Sequence, residues 1–562
     1  MRTAFALSLL LLAGCAAPPA TLMGADAKLG CSALIAAIAS EKIGLPTRGA
    51  SIDSATLVAA SALSVTERGP TPASTITPAS TITPATPEYC KLLGHIAPLD
   101  PAAPAINFQV NLPIAWNGRS VQYGGGGFNG VLISGLGLLP AASYDQPAPL
   151  ALGFATYGAD SGHQTTPGLA PQAFALNDEA LVNFAHASYK KVRDVAVELM
   201  VRAYGRKPLR MYFVGSSEGG REGLAMAQRY PKDFDGIFAR VPVINWTLLQ
   251  FAGTRNGAAT FGEGWIRPPQ VKLVRDAVLA ACDAADGLVD GLVSDSVGCR
   301  KRFDVTRLRC RDGVAESDTC LSDAQLRAVQ TLHAPYRSPV PLAHDVIEYP
   351  GYPLGGEDTP AAGPTGGWRA WWLGGSAPTL PAQPNNGIAW VYGSGAVQYF
   401  YARSAQADPR SVTPDSVAAR VRQVSELMDT MNPDLADFVA NDGKLIVLEN
   451  MADYAQSPYA GIGYHAAVLE QLGPDRVNQF MRLYTAPGVD HVGTGAPSIV
   501  DMLPALVAWV EQGQPPSGLP LAEQSAKPPF AVSRTRPLCE WPRWPRYKGG
   551  DPQLAASFEC TR

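Results

Sequence analysis

The sequence lacks the features of a nucleic-acid-binding protein, a coiled coil or a disordered chain. Its 562 residues include 45 Lys and Arg against 49 Asp and Glu, a net charge of -4. With no basic excess and no Lys/Arg-rich run, we expect no nucleic-acid partner. Charged residues make up only 17% and hydrophobic residues 46%, which excludes disorder and a coiled coil. The length supports a large buried core.

No transmembrane helix is expected after export, because no stretch approaches ~18 uninterrupted apolar residues. The short apolar run from Ala4 to Leu12 follows Arg2 and is typical of a signal peptide. It ends in LAGC, as in a bacterial lipobox, so we predict a signal peptide over 1–14, a lipid anchor on Cys15 and a tether over 15–30. Ordinary secretory cleavage is the alternative. The predicted location is the periplasm or cell surface, otherwise secreted, with membrane contact only through the anchor.

The nine cysteines are an odd number. Setting Cys15 aside as the anchor leaves an even set, which in an exported chain implies disulfides. Eight cysteines allow 105 connectivities, and spacing does not choose among them. The eight are Cys31, Cys90, Cys282, Cys299, Cys310, Cys320, Cys539 and Cys560.

A six-residue repeat, TPASTI, fills much of residues 71–87. Proline in every repeat blocks a helix or a central strand. We predict an exposed extended loop without chemistry of its own.

Strand patterns alternate with helical patterns from about residue 108. Strands are predicted at 108–112, 120–123, 152–157, 211–214, 444–448 and 481–484, and helices at 180–204 and 222–229. This alternation favours an α/β fold with a mainly parallel sheet. Residues 244–438 lose the rhythm, which indicates a large lid inserted between two sheet strands, with the main domain divided into 31–243 and 439–562.

The segment Gly215-Ser-Ser-Glu-Gly219 follows a predicted strand and precedes a predicted helix. Gly-x-Ser-x-Gly in that context is a nucleophile elbow, in which a tight turn lifts the Ser217 hydroxyl above the sheet. A glycine-rich structural turn is the alternative.

A serine nucleophile needs a base, and the elbow fold has the chain order Ser, acid, His. His491 lies in a loop just after the strand at 481–484, whereas His465 lies in a helical stretch. Asp453 follows the strand at 444–448, where a carboxylate can orient the imidazole. Asp490 is the competing acid, but a residue adjacent to His491 seldom folds back onto its ring.

The glycine cluster at 124–130, GGGGFNG, ends an early strand. Together with the N–H of Glu218, its backbone N–H groups are candidate oxyanion donors. A phosphate loop is excluded because no Gly-Lys-Ser/Thr follows.

A possible cation loop lies at 282–295, CDAADGLVDGLVSD. Asp283, Asp286 and Asp290 supply hard oxygens, and the carbonyls of Leu288 and Leu292 can complete a calcium shell. The pattern is not an EF-hand, because the twelfth position is Ser294. A solvated acidic turn is the alternative, and any metal here is expected to be structural.

Five segments together resemble the tannase and feruloyl esterase family of α/β-hydrolases, which includes mono(2-hydroxyethyl) terephthalate hydrolase. They are GGGGFNG at 124–130, GSSEGGREG at 215–223, the 282–295 loop, GWRAWWLGG at 367–375 and RTRPLCEWPRWPRYKGGD at 534–551. The resemblance implies an α/β-hydrolase with a lid, and a serine carboxylesterase that acts on small aromatic esters.

The resemblance also implies specific residue roles. It implies a triad of Ser217, Asp453 and His491, oxyanion donors at Gly127 and Glu218, and structural Ca²⁺ at Asp283, Asp286, Leu288, Asp290 and Leu292. It further implies the pairs Cys31–Cys90, Cys282–Cys299, Cys310–Cys320 and Cys539–Cys560.

The chain departs from this family at two positions. The family usually has a cysteine just before the nucleophile and another just after the histidine, joined by a disulfide, whereas this chain has Ser216 and Val492 there. The terephthalate enzyme of this family binds the substrate carboxylate with a lid arginine. This chain has no clear counterpart of that arginine, and Arg403 is the one candidate. The lid tryptophans Trp368, Trp371 and Trp372 are either an aromatic wall or lid core. Alternative functions are a non-catalytic surface lipoprotein that binds aromatic compounds, and an amidase or peptidase.

Overall fold

The computed structural model describes residues 20–21, 27–67, 80–314, 317–359 and 367–562. The predicted signal peptide, Cys15 and most of the TPASTI repeat lie outside these residues. A ten-stranded sheet forms the centre of the fold. Its strands, in spatial order, are Cys539–Glu540, Met481–Ala486, Lys444–Asn450, Gly236–Arg240, Arg210–Ser216, Arg119–Tyr123, Ala155–Ala159, Ile106–Pro113, Tyr89–Ile96 and Ala50–Val58.

The sheet is parallel at its centre and antiparallel at its edges. The six strands from Met481–Ala486 to Ala155–Ala159 are parallel, as the alternating pattern predicts. The remaining pairings are antiparallel, and the two strands nearest the N-terminus were not predicted. Functional groups in such folds collect at the carboxyl ends of the parallel strands.

Both faces of the sheet are covered, because successive side chains of a strand point to opposite faces. On Arg210–Ser216, Met211 and Phe213 join one core, whereas Tyr212 and Val214 join the other. The helices outside the lid are Ala27–Ser32, Asp178–Val182, Ser188–Tyr204, Glu218–Arg229, Pro458–Leu472, Pro474–Phe480 and Met502–Gln512.

A large insertion separates Gly236–Arg240 from Lys444–Asn450, although these two strands are neighbours in the sheet. Its helices are Trp246–Ala259, Pro268–Cys282, Ser296–Arg302, Asp323–His333, Ile388–Ala396, Ala418–Met428 and Ala436–Ala440. Short strands pair as Tyr336–Arg337 with Glu348–Tyr349 here, and as Pro520–Gln524 with Val532–Pro537 and Trp544–Tyr547 with Phe558–Thr561 near the C-terminus.

Several predicted elements differ in detail from the structure. The helix at 180–204 is divided by a π-helical turn, Asn183–Ala187. The strand at 152–157 begins only at Ala155, because residues 148–153 form turns. Ser80–Thr83, at the end of the repeat, pairs with Ser64–Glu67 rather than lying in an extended loop. Ala20–Thr21 of the predicted tether pairs with Ala115–Trp116.

Four disulfides connect the eight cysteines in the pairs that the resemblance implies: Cys31–Cys90, Cys282–Cys299, Cys310–Cys320 and Cys539–Cys560. Such bonds persist in oxidising compartments, so the pairs indicate an extracellular or secreted protein. None of the described helices is both long and apolar enough to cross a membrane.

Candidate active site

Ser217 occupies a strained turn between the strand Arg210–Ser216 and the helix Glu218–Arg229. Its φ is +61°, a region that residues other than glycine rarely adopt, and such strain collects at functional sites. The Ser217 N–H donates to the carbonyl of Arg240 on the next strand, at 2.9 Å. A Cβ on Gly219 would lie 2.7 Å from the Gly125 carbonyl oxygen, so this turn requires glycine two residues after the serine.

The structure brings Ser217, His491 and Asp453 together at the carboxyl edge of the sheet. His491 Nε2 lies 2.9 Å from Ser217 Oγ, and His491 Nδ1 lies 2.7 Å from Asp453 Oδ2. A protonated Nδ1 that donates to the carboxylate leaves Nε2 free to accept the serine proton. The Asp453 side chain is fully buried, and its Oδ1 accepts the N–H groups of Ala455 and Gln456.

The two competing residues do not enter this chain of hydrogen bonds. The Asp490 carboxylate accepts the N–H groups of Gly493 and Thr494 and the hydroxyl of Thr359. It therefore stabilises the histidine loop without contacting the imidazole of His491. His465 lies on Pro458–Leu472, where burial lowers its pKa to about 4 and keeps it neutral.

The glycine cluster presents Gly127 to the same site. The N–H groups of Gly124, Gly125 and Gly126 already donate, to Val214, Glu222 and Asn129 respectively. Gly127, at φ +57°, lines the cavity beside Ser217, as does Glu218 at the start of the helix. This arrangement is compatible with oxyanion donors at both positions.

Glu222 fixes the glycine cluster and was not predicted from the sequence. Its Oε2 accepts the Gly125 N–H at 2.8 Å, and its Oε1 accepts from Asn129 Nδ2 and from the Tyr189 hydroxyl, both at 2.7 Å. Burial raises the pKa of this carboxyl group. Its place four residues after Glu218, on the same face of the helix that begins at the serine turn, is the signal that sequence analysis could have used.

A cavity of about 380 Å³ opens above Ser217 and His491. Aromatic and aliphatic side chains form most of its wall, and the Trp371 and His491 ring centroids are 6.0 Å apart. Such a lining suits a planar apolar group. Its other side-chain contributors are Phe128, Val243, Trp246, Leu249, Gln250, Tyr392 and Ala455.

The lid tryptophans divide between the two predicted roles. Trp371 lines the cavity, whereas Trp368 and Trp372 are buried in the core of the insertion. Trp246 and Tyr392, which the sequence did not single out, also face the cavity. Arg403 does not, because its guanidinium donates to Asp178 and to the Leu176 carbonyl at the surface.

The candidate calcium loop makes mostly local contacts. Asp283 accepts the N–H groups of Asp290 and Gly291, and Asp286 accepts from Leu288 N–H and Ser294 Oγ. Asp290 forms an ion pair of 2.5 Å with Arg536, which competes with a metal ion.

One atom of this loop fits a cation, because Asp290 Oδ1 is buried without a hydrogen-bond partner. The side chains of the loop are not otherwise arranged for a metal: within the described ranges, this loop included, no group of three or more His, Cys, Asp or Glu side chains is placed to hold one.

The central parallel sheet, the strained serine turn and the histidine loop define an α/β-hydrolase. The chain belongs to the tannase and feruloyl esterase family, whose model matches residues 90–561. It is thus a carboxylic ester hydrolase, and the fold and family predicted from the sequence are confirmed.

Individual relatives agree with this assignment. An uncharacterized esterase of Agrobacterium fabrum is 35% identical over 547 residues, covering 94% of this chain and 93% of its own. Mono(2-hydroxyethyl) terephthalate hydrolase of Piscinibacter sakaiensis is 31% identical over 539 residues, covering 84% and 85%. A crystal structure of an esterase from Aspergillus oryzae shares the fold, with a TM-score of 0.75 at 23% identity, covering 95% of this chain and all of that one.

Proposed function

We propose that the protein hydrolyses esters of aromatic carboxylic acids through an acyl-enzyme on Ser217. The observation that carries this proposal is the hydrogen-bonded series Ser217–His491–Asp453 at the floor of an aromatic cavity. Family membership supports ester hydrolysis, and the geometry supports serine as the nucleophile.

In the proposed reaction, Ser217 Oγ attacks the ester carbonyl carbon while His491 Nε2 takes the hydroxyl proton. The carbonyl oxygen becomes an oxyanion, which the N–H groups of Gly127 and Glu218 stabilise. The bond to the alcohol oxygen breaks, and His491 gives its proton to the leaving alcohol. In the second half of the reaction, water attacks the acyl-enzyme carbonyl while His491 takes its proton, and His491 then returns a proton to Ser217 Oγ as the acid is released. Asp453 stabilises the imidazolium in both the acylation and the deacylation.

The wall of the cavity favours an uncharged aromatic acyl group. Phe128, Trp246 and Trp371 offer apolar ring surface, and the described lining includes no lysine or arginine. We therefore place esters with a neutral ring, of the feruloyl or galloyl type, ahead of terephthalate monoesters, whose free carboxylate would lose hydration without gaining a cation.

A hydrolysis panel of methyl ferulate, methyl gallate and mono(2-hydroxyethyl) terephthalate tests this order. We expect both neutral esters to have the higher kcat/KM, and faster turnover of the terephthalate ester would contradict it. Anilide analogues in the same panel separate an esterase from an amidase or peptidase.

The alternative of a non-catalytic aromatic-binding lipoprotein rests on the absence of cysteines at positions 216 and 492, and family membership does not favour it. A fluorophosphonate probe separates the two, since only an activated serine is labelled stoichiometrically. We expect one label per chain, at Ser217.

We further propose that the chain is exported and anchored at Cys15, and that the 282–295 loop holds structural Ca²⁺. The four disulfides support export. For calcium, the support is the set of Asp283, Asp286 and Asp290, with the carbonyls of Leu288 and Leu292, and the unpartnered oxygen of Asp290.

A further inference from the structure

A buried arginine, Arg240, lies directly beneath the serine turn. It ends the strand Gly236–Arg240 and is opposite Ser216 in the parallel register. Only 6% of the residue is exposed. Its carbonyl accepts the Ser217 N–H at 2.9 Å, so the backbone of Arg240 already helps to set the position of the nucleophile.

The guanidinium of Arg240 reaches from the serine turn to the histidine loop. Its Nη1 donates to Ser216 Oγ at 3.2 Å. On the other side it packs on Gly493, two residues after His491, where a Cβ would lie 2.9 Å from Nη2. Gly493 also has a φ of +95°, so the loop backbone can approach the guanidinium only with glycine at this position.

The surroundings of the guanidinium are charged as well as tightly packed. Burial lowers the pKa of Arg240, and the nearby Asp490, Asp453, Tyr144 and Tyr454 offset part of that lowering. Asp490 and Asp453 are both buried, and a buried carboxylate needs a compensating partner. The guanidinium places a positive charge near both carboxylates, whose hydrogen bonds come from other groups.

The hydrogen bonding of Arg240 is incomplete, because its Nε is buried without a partner. Arg221, the other arginine of the serine turn, pairs with Glu218 and donates to main-chain carbonyls as well. The two arginines thus differ: Arg221 is held by an ion pair, whereas Arg240 is held by its packing between Ser216 and Gly493.

We propose that Arg240 is a positioning residue for the hydrolysis: its guanidinium joins the serine turn to the histidine loop and balances the charge of Asp490 and Asp453. The proposal rests on the proposed function of Ser217. It assigns to one side chain the alignment of two loops that approach each other from distant parts of the sequence.

The test compares Arg240→Met, which keeps the length and removes the charge, with Arg240→Lys, which keeps the charge. A misplacement of reacting groups by about 1 Å can cost about 10²-fold in rate, so we expect Arg240→Met to lower kcat by about that factor. KM for a neutral aromatic ester should stay within about twofold, because Arg240 does not line the cavity. Arg240→Lys should recover at least about a tenth of the kcat of the natural protein.

The pH–rate profile gives a readout that a loss of stability alone would not change. Removal of a nearby positive charge favours the imidazolium form of His491. The acid limb of the kcat profile should therefore move to higher pH in Arg240→Met and stay in place in Arg240→Lys. An unchanged limb together with an unchanged kcat in a folded Arg240→Met variant would overturn the proposal.

Arg119→Met is the matched control. Arg119 also lies on a sheet strand and pairs with Glu511. It is the first residue of Arg119–Tyr123, at the end of the strand opposite the candidate active site. We expect it to lower the melting temperature while kcat and the pH profile stay the same. An equal kcat loss in both variants would show a general stability effect and would reject the special role of Arg240.

Three further measurements keep the test decisive. If Arg240→Met does not fold, Ser216→Ala removes only the hydrogen-bond acceptor and should lower kcat by about threefold. An unchanged kcat in Ser216→Ala would then count against the proposal.

Arg240→Ala should regain activity on addition of guanidinium at millimolar concentration. Fluorophosphonate labelling of the natural chain is run alongside: failure there refutes the proposed function itself, whereas labelling with an unaffected Arg240→Met refutes only the role of Arg240.

Discussion

The serine turn at 215–219 and the acidic turn at 282–295 are both tight, glycine-containing turns with polar side chains, yet they differ in how those side chains are satisfied. Ser217 and His491, which form a hydrogen bond, are 274 residues apart. In the acidic turn, Asp283 and Asp286 accept from donors no more than eight residues away. The serine site is thus assembled from distant segments, whereas the acidic turn is satisfied mostly by its own residues, apart from the ion pair of Asp290 with Arg536.

Backbone strain separates the two turns as well. Ser217 is held at positive φ, whereas the positive φ angles in the acidic turn belong to Gly287 and Gly291, which tolerate them. The strained residue is the proposed nucleophile, and the surrounding hydrogen bonds maintain its conformation.

The largest expected effect is at the serine turn. Ser217→Ala should lower kcat by about 10⁴-fold or more, because no other group in the proposed mechanism can form the acyl-enzyme. Turnover of p-nitrophenyl esters measures this, with the melting temperature as the check of folding. Asp286→Asn is the matched change in the acidic turn, and it should alter the melting temperature while kcat stays within about twofold. Full turnover by a folded Ser217→Ala variant would refute the nucleophile assignment.

The second prediction separates the two neighbouring acids. Asp453→Asn should lower kcat by about 10³-fold, because the imidazole loses the partner that fixes its tautomer. Asp490→Asn should cost less than about tenfold, since its carboxylate contacts the loop and not the ring. Steady-state kinetics on one neutral aromatic ester decide between them. A larger loss of kcat in Asp490→Asn than in Asp453→Asn would show that Asp490, and not Asp453, is the acid that orients His491.

The third prediction concerns the support of the glycine cluster. Glu222→Gln keeps the shape of the side chain but can accept with only one oxygen, whereas Glu222 accepts on both. Displacement of the Gly127 N–H should lower kcat by about tenfold, with KM nearly unchanged. Glu179→Gln is a suitable control, because Glu179 accepts from the main chain at a more exposed site. Equal kinetics in the natural chain and Glu222→Gln would show that the cluster holds its shape without this carboxylate.

The sequence predicts the parts of the site that depend on local pattern and on strand order. Ser217, Asp453 and His491 each follow a strand with a clear pattern, and parallel strands bring their carboxyl ends together. Trp246, Tyr392 and Arg240 were not found, because their roles depend on how the lid and the strand ends pack. Antiparallel edge strands such as Ala50–Val58 were missed because half-buried strands far from any motif give a weak signal.

The smallest expected effect, and the one that tests the comparison most directly, is at the acidic turn. If Ca²⁺ binds there, chelation should lower the melting temperature by a few degrees, since a ligand that binds only the folded state stabilises it by RT ln(1 + [L]/Kd). Activity at low temperature should not change, because the loop does not line the cavity. Differential scanning fluorimetry with chelator, and then with calcium restored, measures the shift.

The ion pair of Asp290 with Arg536 gives this last test its control. Asp290→Asn removes a proposed ligand and the ion pair together, whereas Arg536→Gln removes the competitor and leaves the carboxylate. If calcium binds, Arg536→Gln should keep the chelator-sensitive shift and Asp290→Asn should lose it. If both variants and the natural chain melt identically with and without chelator, the acidic turn is stabilised by its own backbone hydrogen bonds. Its resemblance to a cation loop would then be one of sequence alone.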